Sequence, residues 1–198
     1  LIAAVDSGLA PLQDLKWKRV NLGSPGPGHR GNALAILEEA GIDPDTDLQA
    51  ESLTVGECAS MLQDNRIDAY FYTVGHPNGS ITEAATGRRK VRFVPITGMD
   101  TLIETSPFYT TTTVPTDLYE RAEQGEVESI GMLTTLVTHT DVAEDTVYTL
   151  VKAVFENLDL LRQQHPALQG LTREGMLKGA HAPLHPGAER YYQEAGLL

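Results

Sequence analysis

The chain has 198 residues, of which 41% are apolar, and it carries 15 Lys and Arg against 27 Asp and Glu, a formal charge of −12. That length supports one large domain or two small ones with real cores, and the apolar content excludes a disordered chain. An acidic balance without a basic stripe argues against a nucleic-acid partner; a single cysteine excludes an intrachain disulfide; no apolar run reaches membrane-span length, so no direct membrane insertion is expected.

In chain order, residues 18–23 (KRVNLG) read as a strand. A helix follows over 30–40, with Ala33, Ile36, Leu37 and Ala40 on one face. Residues 47–53 (DLQAESL) are a second strand. Thr54 and Glu57 then form a capping box for a helix to about Asp64. Cys58 falls at helical spacing among Val55, Ala59 and Leu62 and reads as a small core residue. Residues 68–74 (DAYFYTV) are a nearly continuous apolar strand, the pattern of a parallel strand covered on both faces. Asn78 to about Thr86 is a short helix, Arg88-Arg89-Lys90 a solvated turn, and 90–96 (KVRFVPI) another strand. The alternation predicts a parallel sheet with helices on both faces.

Residues 98–130, with Pro107, Pro115 and a run of threonines, read as a helix and then an irregular connection, and 131–140 (GMLTTLVTHT) as a returning strand. Asp141 and Glu144 are expected to cap one long helix whose apolar face runs Val147, Leu150, Val151, Val154, Phe155, Leu158 and Leu161 until His165-Pro166 ends it. A short helix over 171–179 and a loop leading into a final helix close the chain.

Two loops carry the candidate chemistry. In GSPGPGHRG (23–31), Gly26, Gly28 and Gly31 spell G-x-G-x-x-G between a strand and a helix, with Glu51 about 20 residues further on, so an NAD(P)-dependent oxidoreductase is one reading. Pro25 and Pro27 interrupt that loop, and Pro27 lacks an N–H where a pyrophosphate needs one. The other reading is a small-anion site. Ser24, Gly26 and Gly28 line an open backbone, a helix starting near His29 offers free N–H groups, and Arg30 can hold a carboxylate. The second loop, YTVGHPNGS (72–80), contributes Tyr72, Gly75 and Asn78; Asn78 or Ser80 can also cap the next helix, and His76 reads as an exposed turn residue. Both loops follow strands of one parallel sheet and so lie at its carboxyl edge, where open α/β sheets bind ligands. Nothing marks a catalytic residue: there is no G-x-S-x-G elbow, and the six histidines do not fall at metal-ligand spacing, Pro183 separating His181 from His185. His185, in a loop with Pro183, Pro186 and Gly187, reads as structural.

The segments DLKWKRVNLGSPGPGHRGNALAILEEAGI, IDAYFYTVGHPNGSI, VYTLVKAVFENLDLL and HAPLHPGAERYYQEAG stand in an order and spacing that resembles the TAXI-type substrate-binding proteins of TRAP transporters. The resemblance covers most of the chain, and PLHPGAERYYQEAG is its most recognisable piece. It implies the type 2 periplasmic-binding architecture, with two α/β lobes, crossing strands as a hinge and a small ligand between them. It also implies a periplasmic or extracytoplasmic location, no cofactor, and no enzymatic activity. The implied partners are a small carboxylate, such as glutamate or a dicarboxylate, and the membrane subunits of an ion-gradient-driven permease. At Pro27 and His29 the family usually has small hydroxyl residues. The family's N-terminal portion has no counterpart in these residues. The expected organisation is therefore one complete parallel-sheet lobe over 9–131, with 1–8 and 132–198 as hinge strands and a truncated, largely helical part of the other lobe. Residues 1–8 and 131–141 are expected to pair as antiparallel hinge strands.

Overall fold

The computed structural model describes residues 1–198 with the exception of Pro27, Gln124 and Ala180. The chain divides into two compact units, Leu1–Met132 and Leu133–Leu198.

The first unit is built on a five-stranded sheet. Its strands are β1 (Ile2–Ala4), β2 (Arg19–Asn21), β3 (Gln49–Glu51), β4 (Ala69–Tyr70) and β5 (Val91–Phe93), in the order β3-β2-β4-β1-β5. β2 runs parallel to β3 and to β4, as the alternation predicts. β1 does not follow that pattern: it lies antiparallel between β4 and β5, with Ile2 opposite both Tyr70 and Phe93. The expected pairing of residues 1–8 with 131–141 is thereby corrected. The neighbours of β1 are β4 and β5, and Gly131 and Met132 belong to another ladder.

Helices α1 (Gly28–Glu39), α2 (Val55–Gln63), α3 (Gly79–Thr86) and α4 (Asp100–Thr105) cover the sheet. The period-two alternation of the strands sorts the core into two layers. Ala3, Val20 and Ala69 pack with Ala33, Ile36 and Leu37 of α1 and with Leu102 and Ile103 of α4. Ile2, Ala4, Tyr70, Val91 and Phe93 face the other way, onto Cys58 and Leu62 of α2 and Ile81 and Ala84 of α3. Local signals set the helix starts. The Glu57 carboxylate reaches back to accept from the Thr54 N–H at 2.9 Å and hydroxyl at 2.7 Å, and these bonds hold it below the usual carboxylate range. Asn78 Oδ1 accepts from Ser80 N and Ile81 N.

The amino edge of the sheet is fastened by charge. Asp68 accepts from Arg19 N at 2.9 Å, Nε at 3.0 Å and Nη2 at 2.6 Å. Desolvation pushes its carboxyl up, but the Arg19 bonds and the charges of Arg19 and Arg89 outweigh this and leave it below its ordinary value. Arg89, read from the sequence as part of a solvated turn, keeps only 10% of its side chain exposed. It donates to Leu62 O, Ile67 O and Asp6.

The threonine run is not irregular. Tyr109–Val114 (β6) and Val127–Met132 (β7) form a two-stranded antiparallel ladder, from Tyr109 opposite Met132 to Val114 opposite Val127. Thr110 to Thr113 are exposed, and β-branched residues suit such a ladder, while Val114, Val127 and Ile130 pack against the two core layers. Residues 133–140 form no strand, so the strand expected over 131–140 ends at Met132.

The second unit is helical: α5 (Glu144–Glu156), α6 (Leu158–Gln164) and α7 (Pro186–Glu194). The single long helix expected over 144–164 is two, interrupted at Asn157, whose φ of −115° and ψ of 33° leave the helical region. The cap is not Asp141 either. Ala143 holds the N-cap position with no side-chain bond, and Glu144 is a helical residue paired with Arg190 at 2.6 Å. The short helix expected over 171–179 is a 3₁₀ turn at Gly175–Leu177. Helix α7 packs on α5 through Val147, Phe155, Ala188 and Tyr191. The contact is close because position 187 has no side chain: a Cβ there would lie 2.2 Å from Glu144 O and 2.7 Å from Tyr148 N. His185 is structural, as expected. Its Nδ1 accepts from Gly187 N at 3.2 Å as the cap of α7, and its Nε2 lies 3.0 Å from Val142 O.

Candidate functional site

The loops after β2, β3 and β4 emerge together at the carboxyl edge because those strands are parallel neighbours. Asn21, the last residue of β2, is fully buried. Its Oδ1 accepts from Gly23 N at 3.2 Å and Leu53 N at 2.8 Å, while its Nδ2 donates to Leu53 O at 3.4 Å and Cys58 Sγ at 3.0 Å. One amide therefore ties the β2 loop to the β3 loop and to α2. Burial pushes the Cys58 thiol up to about 11, which suits a packing role and leaves no thiolate near neutral pH.

The first turn of α1 faces the same edge and contains no acidic residue. Arg30 donates from Nη1 to Gly23 O at 2.9 Å and Ser52 Oγ at 3.1 Å. Among the described residues both of its bonds use that nitrogen, so the other edge of the guanidinium keeps its donors. The His29 ring rests on Gly23, where a Cβ would lie 2.4 Å from Nε2, and meets Tyr72 edge-on with centroids 6.3 Å apart. His29 Nε2 is buried and has no hydrogen-bond partner among the described residues. Asn32, one turn on, joins α1 to two further elements: its Nδ2 donates to Thr73 Oγ1 at 2.9 Å, and its Oδ1 accepts from Tyr109 OH at 2.8 Å.

Of the residues singled out in the sequence, His29, Arg30 and Tyr72 gather around the start of α1. Ser24 is half-buried there, and Gly26 and Gly28 are exposed, with open space where a Cβ would stand. Pro27, whose missing N–H counted against a pyrophosphate, lies outside the described residues. Gly75 is exposed in the neighbouring loop. Asn78 is committed to α3: its Oδ1 is the cap, and its N–H donates to Tyr119 OH at 3.0 Å. The same hydroxyl lies 2.7 Å from His76 Nδ1, so His76 is half-buried against Tyr119 and Phe93 rather than an exposed turn residue. Burial holds the His76 pKa below its ordinary value.

Sequence reasoning missed Asn21, Asn32, Ser52 and Tyr119. Asn21 did leave a signal, a lone polar residue closing the strand KRVNLG; Tyr119 left none, since it arrives from a segment read as irregular.

Sheet order and edge loops together are compatible with an α/β fold of the periplasmic-binding type. The chain belongs to the NMT1-like family, whose model matches residues 1–196. That family comprises periplasmic binding proteins. It points to a substrate-binding receptor that works with a small ligand and a transporter and is generally not an enzyme. No helix among the described residues is long and apolar enough to cross a membrane.

Proposed function

We propose that this chain is the ligand-capturing part of an extracytoplasmic TAXI-type receptor that serves a TRAP transporter, and that its ligand is a small carboxylate such as an acidic amino acid or a dicarboxylate. Ser24, Gly26, Gly28, His29 and Arg30 form the anion contact, with Tyr72 and Gly75 beside it and Asn78 shaping the second loop as the cap of α3. One observation carries this: a helix of 12 residues starts at the carboxyl edge with no acid in its first turn, and beside it stands an arginine with one edge uncommitted. The partial positive charge of the helix start and the guanidinium both favour a carboxylate there.

The dinucleotide alternative meets a specific obstacle. The third glycine of that fingerprint serves close helix–strand packing. Gly31 is exposed, and a Cβ on it would meet nothing within 4 Å.

Calorimetry with L-glutamate, succinate and NAD tests the proposal. A carboxylate binds and NAD does not; Arg30→Ala weakens carboxylate binding by roughly 1.5–3 kcal/mol. Gly28→Val blocks approach of the ligand without an internal clash, since its Cβ stands in open space. Binding of NAD with no response to either carboxylate overturns it.

A further inference from the structure

We infer that Asn21 is the positioning residue of the glycine loop: its buried amide fixes the Gly23 peptide, and with it the path of the chain into the anion-binding start of α1. The inference rests on the site proposed above, but its geometry stands apart from the identity of any ligand. Gly23 is where the chain leaves the sheet, and its φ of 94° turns it sharply. Both backbone groups of Gly23 are held by side chains. Its N–H donates to Asn21 Oδ1 at 3.2 Å, and its carbonyl accepts from Arg30 Nη1 at 2.9 Å. The clamp matters because the ladder ends at this point: the last backbone bonds here are Phe71 N to Asn21 O and Leu22 N to Glu51 O. Beyond them, among the described residues, the Gly23 peptide is held by side chains.

The chemistry calls for an amide. Two N–H groups, from Gly23 and Leu53, need an acceptor, while Leu53 O and the Cys58 sulfur take a donor. Only the Asn or Gln amide pairs an oxygen that accepts two bonds with a nitrogen that donates two, and Asn reaches all four partners at 0% exposure from the end of β2. An apolar residue of the same size strands the N–H groups of buried Gly23 and half-buried Leu53, which then escape by moving the loop. A carboxylate keeps both acceptor contacts and loses the two donor contacts.

The experiment compares the full chain with Asn21→Leu and Asn21→Asp. It reads affinity for L-glutamate and succinate on folded protein, together with amide hydrogen exchange at Gly23 and Leu53. In Asn21→Leu, exchange at both amides accelerates by at least about tenfold and carboxylate affinity falls by a similar factor, while amides of α3 and β5 keep their protection. Asn21→Asp keeps the acceptor and restores protection at Gly23 relative to Asn21→Leu, while its added negative charge keeps carboxylate affinity below that of the parent. A residue that only stabilises the core would lower the melting temperature and leave affinity and Gly23 exchange on the folded protein unchanged; that result overturns the inference. If Asn21→Leu does not fold, Asn21→Asp combined with Cys58→Ala gives the reading: Gly23 protection kept supports the clamp, and protection lost refutes it. If the parent binds neither carboxylate, the ligand proposal fails by itself, and the exchange data still decide the role of Asn21.

Discussion

Two glycine-to-alanine substitutions of identical chemistry have opposite expected outcomes. At Gly187, a Cβ would sit 2.2 Å from Glu144 O and 2.7 Å from Tyr148 N, both backbone atoms of α5, and 3.1 Å from Val147 Cβ. No side chain can swing aside to admit it, so α7 must retreat from α5 by about an ångström. That retreat loosens the packing of Ala188 and Tyr191 and stretches the His185–Val142 and Arg190–Glu144 contacts, now 3.0 and 2.6 Å. Overpacking of this kind costs about 3 kcal/mol, the upper end of the usual range, because both obstacles are main chain. For a unit the size of 133–198, such a loss lowers the melting temperature by on the order of 12 °C or more. At Gly31, inside α1 and exposed, the added methyl meets nothing within 4 Å. Gly31→Ala therefore stabilises by roughly 0.5–1 kcal/mol through the helical preference of alanine and the lower entropy of the unfolded chain. Circular dichroism melts of the two variants beside the parent decide the matter. A Gly187→Ala protein that melts within about 1 °C of the parent would refute the close approach of α7 to α5.

Trp17 is 72% exposed and held at a φ of 68°, so Trp17→Gly relieves left-handed strain at little loss of burial. It should gain about 0.5–1 kcal/mol in urea unfolding, and a loss instead would show that the indole makes a stabilising contact. His76 has a lowered pKa in the folded state, so the unfolded chain takes up the proton first as pH falls. The stability that His76 contributes is full above its ordinary value of 6.5 and drains away as pH drops through the lowered value. Between about pH 7.5 and 5.5 the urea midpoint of the parent should fall further than that of His76→Asn, and equal falls would contradict this. Cys58 should resist iodoacetamide in the native chain at about pH 8 and react fully in denaturant; rapid native labelling would show that the thiol is accessible.

What could be read in the sequence was what local chemistry decides. Thr54 and Glu57 announced α2, Asn78 announced α3, and the apolar run 68–74 announced a strand covered on both faces, although its ladder is only Ala69–Tyr70. The parallel run of β2, β3 and β4 was legible from the alternation, but the direction and partners of β1 were not. The apolar residues Ile2, Ala3 and Ala4 suit a buried strand of either direction, so nothing local shows that β1 lies antiparallel between β4 and β5. The heptad-like apolar spacing runs on through Asn157 and hides the break between α5 and α6. The threonines of β6 looked irregular because four successive exposed polar residues carry no apolar alternation. At the site, the sequence pointed to the glycine loop and Arg30. It could not show that one nitrogen of Arg30 is spent on Gly23 and Ser52, because those contacts depend on how β2 and β3 align.

The place of β1 constrains how the sheet can be completed. β2, β3 and β4 can join through their own connecting helices, each link closing a modest loop. β5 has no seat on that three-stranded sheet, since among the described residues β1 is its only strand neighbour. Phe93 enters the sheet only through Ile2, either laid alongside a β1 already docked on Tyr70 or carried in with β1 as a preformed pair. During synthesis, then, an apolar strand made early waits until β4 has emerged, and the last seam of the sheet closes only after Phe93 is free of the ribosome. Until that moment β4 or β1 presents an open edge to other chains. A protein folding by this route is most exposed to strand exchange with its own copies while it is still being made.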